Sequence, residues 1–249
     1  MQESEYYSLA ALEDTHWWYA GMSAIAAEWL SHLSVTPDAA SSPRLLDAGC
    51  GTGGALRWLA HYGRPFGFDQ HPVALQLAGD KGFSRLVRAD GRALPFAAES
   101  FSILTSFDVL YQMEVAEGQA VLHEFARVLQ PGGWLLLRLP AHNWLRGAHD
   151  TAVQTRHRYT CREVRDGLIA AGLKPVRITY ANALLFLPAV LWRLTQRCVG
   201  ARAASDVRPT PHSLNAALKA VLSVERVWLR YFNFPVGLSV LALARKEIQ

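Results

Sequence analysis

From Arg44 onward the chain alternates short apolar runs with longer stretches of helical spacing. RLLDAG, PFGFD, SRLVRAD, FSILTSFD and WLLLRLP read as strands. Between them, Ala55 to Tyr62, Pro72 to Lys81 and Gly118 to Leu129 carry the 3.6-residue period of helices, and Pro131-Gly132-Gly133 marks the turn into the fifth strand. Strand and helix taking turns in this way is the rhythm of a parallel sheet with crossover helices. Beyond Pro140 the pattern predicts a Thr-capped helix over Thr160 to Ala171, closed by Gly172, and a strand over Lys174 to Tyr180. Helices near Leu184–Cys198 and Ser213–Arg230 follow, then a last strand in PVGLSVLALARK. The fold expected is α/β: a Rossmann-like, seven-stranded, mostly parallel sheet with helices on both faces and an antiparallel last strand.

At 249 residues and 51% hydrophobic, the chain buries a full core as one domain, 1–249, without needing a second. Within it three parts are distinguished: an N-terminal helical arm over 1–36, a core over 44–140, and a region over 141–249 with extra helices and the final strands. The turn formers of TPDAASSP, Thr36 to Pro43, separate arm from core. Three distant cysteines, Cys50, Cys161 and Cys198, form neither a disulfide framework nor a zinc spacing, which fits a reducing cytoplasm. The opening MQESEYYSLA lacks the basic and apolar regions of a secretory signal, and the apolar run ANALLFLPAVLW is too short for a bilayer needing ~20 residues. Net charge is +4, but residues 1–140 carry 9 basic and 15 acidic side chains (−6) and residues 141–249 carry 16 and 6 (+10). The basic half suits an anionic partner, with peripheral contact at the inner membrane surface as one form of it, and a solvated basic surface as the plain alternative. Nucleic acid is not expected, for want of a clustered basic stripe or a base-reading motif.

The candidate chemistry starts at Gly49-Cys50-Gly51-Thr52-Gly53-Gly54, where a strand turns into a helix and backbone can approach a ligand closely. Gly49, Gly51 and Gly54 also satisfy GxGxxG, with Asp69 about 20 residues on, so a dinucleotide stays open on glycines alone. Asp47 tilts the choice, because an acid beside this turn repels a pyrophosphate and attracts a cation. Asp69 and Asp90 end the next two strands, so three acids close three successive strands.

In order and spacing, LLDAGCGTGG, GFD, RADGRALPF, FSILTSFDVLYQM and LHEFARVLQPGGWLLLRLP resemble a class I S-adenosylmethionine-dependent methyltransferase, of the broad group that includes quinone-biosynthesis methyltransferases. The resemblance covers Arg44 to Pro140 strongly and the rest loosely. It implies S-adenosyl-L-methionine as cofactor, with Asp47, Gly49, Cys50 and Gly51 at its methionine end, Asp69 and Gln70 at the ribose, and Asp90 and Gly91 at the adenine. Ser106 and Phe107 would close the pocket. Many relatives read Glu-His where Tyr111-Gln112 stands here, and some use that pair for a divalent metal, so no metal is expected.

Methyl transfer is an in-line displacement that needs alignment and no covalent intermediate. A hydroxyl acceptor asks for a base, and histidine is the usual choice. His157, in Arg156-His157-Arg158, is preferred because its arginine neighbours favour the neutral ring; those arginines read equally as an anion-binding cluster. His142, after the fifth strand, is the second candidate; His123 reads as a helix-face histidine and His16 lies in the arm. Trp17, Trp18 and Tyr19 read either as a lid, with Trp18 and Tyr19 over the cofactor, or as core of the arm. The expected reaction is methyl transfer to a small-molecule or lipid-like acceptor at oxygen. A nicotinamide-dependent oxidoreductase and a non-catalytic cofactor-binding or membrane-surface module stand as alternatives.

Overall fold

The computed structural model describes residues 3–33, 42–147, 150, 153–199 and 209–248. The arm is two helices, α1 (Glu3–Leu12) and α2 (Trp17–Ser31). They part at His16, which caps α2 and whose Nδ1 faces the Trp18 amide at 3.4 Å. Most of the expected linker, 36–41 of Thr36 to Pro43, lies outside the described residues.

The sheet is built from β1 (Arg44–Ala48), β2 (Arg64–Asp69), β3 (Leu86–Arg88), β4 (Phe101–Phe107), β5 (Leu129–Pro140), β6 (Leu173–Ala181) and β7 (Ser239–Lys246). Their spatial order is β3-β2-β1-β4-β5-β7-β6, with β7 antiparallel to both β5 and β6 and the other neighbours parallel. The order reverses between β1 and β4, and α/β sheets open a crevice at the carboxyl ends of strands flanking such a reversal. β5 is buried along nearly its whole apolar run because it pairs on both sides, with β4 and β7. The third strand is shorter than the run SRLVRAD suggests: Leu86–Arg88 alone pair, at the edge of the sheet.

The crossover helices are α3 (Gly54–Leu59), α4 (Pro72–Asp80) and α5 (Val115–Val128); α6 (Cys161–Ala170), α7 (Phe186–Val199) and α8 (His212–Trp228) complete the set. Helix α5 starts three residues before the expected Gly118 because Glu114 and Glu117 form a reciprocal capping box. One face of the sheet packs on α5 and α6 through Val121, Phe125, Val164 and Leu168. The other packs on α2, α3 and α8 through Met22, Ile25, Leu59 and Leu229. The turn after α1 bridges to the crossover helices by two ion pairs, Glu13 with Lys81 and Asp14 with Arg57 at 3.0 Å.

Candidate active site

β1 ends in Ala48, and the chain reverses through Gly49 at φ +73°. A Cβ there would stand 2.3 Å from Val109 Cγ2, so both the backbone conformation and the space demand glycine. The Gly49 and Cys50 amides both donate to the Phe68 carbonyl at 2.9 Å, which locks the turn to the end of β2. Helix α1 lies across the turn: Leu9 is 3.6 Å from where a Gly51 Cβ would sit.

Two carboxylates sit beneath this turn. Asp47 is buried and accepts from the Thr105 hydroxyl of β4 at 2.7 Å. Burial pushes its carboxyl up to about 7, against the opposing pull of that hydrogen bond and the Arg138 charge. Asp69 accepts from the Gly51 amide at 3.0 Å and the His71 amide at 2.9 Å, and burial raises its carboxyl above the ordinary range despite those bonds. His71 stacks on Tyr6 of α1, ring centroids 4.6 Å apart, beside Asp69.

A cavity of about 950 Å³ begins here and runs across the ends of β1, β4 and β5 toward α7. Its first end is lined by Asp47, Gly49, Cys50, Gly51, Asp69 and Gln70. At its middle stand Trp17, Trp18, Tyr19 and Phe107 with Asp108 and Arg138. Arg138 directs Nε and Nη2 to one oxygen of Asp108, at 2.9 and 2.6 Å, and lies over the Trp18 and Phe107 rings at 4.7 and 5.1 Å. Asp108 holds φ +55°, uncommon for a residue with a side chain, and lines the cavity. The far end reaches Asn182, Trp192, Arg193 and Ser239. Asn182 is buried with no partner for Oδ1, and its backbone amide is held by Glu225 of α8.

Thus the turn, Asp69, Gln70, Gly91, Phe107, Trp18 and Tyr19 come together in one cavity. Four expected residues do not join them. The Asp90 carboxylate is held by Arg92, at 2.6 Å to Nη2 and 2.9 Å to its amide, and by the Gln70 side chain, and of the pair only Gly91 lines the cavity. Ser106 is buried with its hydroxyl unpartnered and its side chain outside the lining, because a strand alternates its faces and Phe107 takes the cavity side. His157 is not on the wall: its ring sits between Asn143, at 3.2 Å, and Glu163, at 3.0 Å. The arginines expected to act on it are drawn away, Arg156 to Glu114 and Arg158 to Asp150. His142 also lies off the cavity, stacked on Tyr180 at 4.8 Å; burial and the Arg158 charge lower its pKa. His16 does line the cavity, and burial lowers its pKa as well. His123 stays near Gln119 on the exposed side of α5.

Asp108, Arg138 and Asn182 join the site without a motif of their own. Arg138 carried a signal, a charge inside the apolar run LLLRLP of a central strand, which burial permits only with a partner. Asp108 closes the adjacent strand, where Phe107 and Arg138 are in register. Asn182 carried none, since its place depends on a turn held by Glu225 from 43 residues on. Among the described residues no group of three or more His, Cys, Asp or Glu side chains is placed to hold a metal ion.

Residues 46–137 match the family described as a methyltransferase domain. Over 112 residues the chain is 37% identical to the uncharacterized methyltransferase YodH of Bacillus subtilis (strain 168), covering 41% of this chain and 46% of that protein. A Haloferax volcanii chain solved with the Trm112 methyltransferase activator shares the fold over 99% of this chain and 97% of its own, at TM-score 0.62 and 19% identity. So does geranyl diphosphate C-methyltransferase from Streptomyces coelicolor A3(2), solved with S-adenosyl-L-homocysteine, over 88% of this chain and 77% of its own, at TM-score 0.57 and 16% identity. The chain spans less than half the length of the curated relatives it matches. Over residues 46–137, where the glycine turn lies and the sheet order reverses, the chain is thus similar to a methyltransferase domain.

Proposed function

We propose that the chain transfers a methyl group from S-adenosylmethionine to the oxygen of a small, largely apolar acceptor held in the far part of the cavity. The observation that carries this reading is the continuity of the cavity, about 950 Å³, from the glycine turn to an aromatic chamber closed by α7. Ligand pockets run from roughly 300 to 1,000 Å³, and this cavity stands at the upper end of that range.

The residues fit the cofactor. The buried carboxylate of Asp47 makes the turn hostile to a dinucleotide's pyrophosphate and welcoming to a cationic ligand, while Asp69 suits the ribose of either. Asp47, Gly49, Cys50 and Gly51 would hold its methionine end, Asp69 and Gln70 its ribose, and Gly91 would border the adenine. Tyr6 and His71 wall the Asp69 side, and Trp18 and Tyr19, which line the centre, would cover the cofactor and exclude water. When bound, S-adenosylmethionine supplies a methyl already activated on a sulfonium.

This chain's own part is then to align the acceptor and take up a proton. Asp108 is better placed for that than either expected histidine. One of its oxygens is pinned by Arg138, and the carboxylate stands on the wall between the two ends of the cavity. A hydroxyl donating to Asp108 is oriented by it, and the proton leaves to the carboxylate as the oxygen attacks.

Incubation with methyl-tritiated S-adenosylmethionine and a panel of phenols and prenylated phenols tests this. We expect label in phenolic ethers and a fall of ~10²-fold or more in turnover for Asp108→Asn, with affinity for S-adenosylhomocysteine kept. Label appearing only in amines or carbons, or full turnover in Asp108→Asn, counts against it.

A further inference from the structure

Helix α7 turns Leu187, Leu191 and Leu194 to one side, at i, i+4 and i+7, and they are 69%, 63% and 48% exposed. Beside them Trp192 is 63% exposed while also lining the far end of the cavity, so it stands at a mouth. Glu225 of α8 accepts from the amides of Asn182, Ala183 and Leu184, which seats the start of α7 against α8. After that turn α8 and its extension expose Trp228 and Tyr231.

The charge on this stretch is predominantly positive. Residues 184–236 contain seven Lys and Arg side chains and two acids, Asp206 and Glu225, a net of +5. Glu225 is fully buried against backbone amides, and burial raises its carboxyl, so it offsets little of that charge at the surface. An apolar stripe within a stretch of net positive charge, in which Arg230 is paired with Glu28 of α2, suits a surface that is greasy inside and anionic outside. It suits a second copy poorly, because a two-fold interface sets the same +5 stretches against each other. Among the described residues no helix is long and apolar enough to cross a membrane.

We propose that the α7 face docks on an anionic lipid bilayer, with Leu187, Leu191 and Trp192 in the boundary between headgroups and acyl chains and the cavity mouth turned toward the leaflet. An amphiphilic acceptor then passes from the leaflet past Trp192 into the chamber without crossing water; this step rests on the methyl-transfer reading, whereas the docking does not.

The test is co-sedimentation of the full chain with phosphatidylcholine vesicles, with and without phosphatidylglycerol, at low and high salt. Beside it run the Leu187→Ser/Leu191→Ser double variant and an S-adenosylhomocysteine titration of both proteins. We expect partitioning only with phosphatidylglycerol, weakened about ten-fold by high salt as screening removes the charge attraction. The double variant should lose a further factor of about ten while binding S-adenosylhomocysteine like the parent.

As a second readout, bromine-labelled acyl chains should quench the parent's fluorescence, and Trp192→Phe should be quenched less. No partitioning, equal binding to pure phosphatidylcholine, unchanged binding by the double variant, or a parent dimer that the double variant turns into monomer overturns the docking. Vesicle binding without S-adenosylhomocysteine binding instead overturns the cofactor reading and leaves the docking standing.

Discussion

Asp47 has no cationic partner within hydrogen-bonding reach among the described residues, only the Thr105 hydroxyl, and burial holds its carboxyl near 7. Because the folded-state pKa lies above the ~3.9 of an unfolded aspartate, the native chain binds the extra proton between those values. Its contribution to stability is therefore fully present below about pH 4 and lost as pH rises to about 7. Denaturant unfolding of the cofactor-free chain should show a decline over that window, and Asp47→Asn should remove Asp47's share. A cationic ligand favours the ionised form, so affinity for S-adenosylmethionine should rise through pH 7, and more steeply than that for S-adenosylhomocysteine, which lacks the sulfonium charge. Titration across pH 6 to 8 checks this, and parallel curves for the two ligands would contradict it. The two strand-end acids that looked alike in sequence should now part company. Asp69→Asn should weaken S-adenosylhomocysteine binding by ~1–3 kcal/mol, and Asp90→Asn, whose carboxylate is bound to Arg92, by under ~0.5 kcal/mol. Equal losses in calorimetry would put Asp90 back in the site.

At the scale of elements, the strands and crossover helices from Arg44 to Pro140 were legible because each carries its own periodicity and the glycine turn carries its own conformational demand. What was not legible depended on side-chain partners that periodicity does not give. The capping box that starts α5 early is local, and so in part is the fate of His157: Glu163, in the first turn of α6, captures its ring, while nearby Asp150 and the distant Glu114 draw off its arginines. Asn182 likewise owes its place to Glu225. Helix α2 and helix α8 meet through Gly21, where a Cβ would stand 2.3 Å from Leu222 Cδ1 and 2.8 Å from its Cβ. Leu222 is fully buried and has nowhere to go, so Gly21→Ala should cost ~1–3 kcal/mol and lower Tm, read by thermal unfolding. A Tm unchanged from the parent would show that the two helices separate freely.

For the whole molecule, the sheet reversal between β1 and β4 sets where the crevice opens, and the added helices decide what it becomes. Helix α1, whose following turn is tied by Glu13 to Lys81 and by Asp14 to Arg57, closes the glycine-turn end. α7 bounds the other end and gives it a mouth at Trp192. The acids and the glycine turn announced the first of these compartments in sequence, whereas the second is assembled from α2, β4, β5 and α7 and has no motif of its own. The claim on which the rest depends is that the turn end holds an adenosyl cofactor. Calorimetric titration of the purified chain with S-adenosylhomocysteine and with NADH tests it most directly: the account predicts micromolar binding of the first and none of the second, and binding of NADH alone, or of neither, would contradict it.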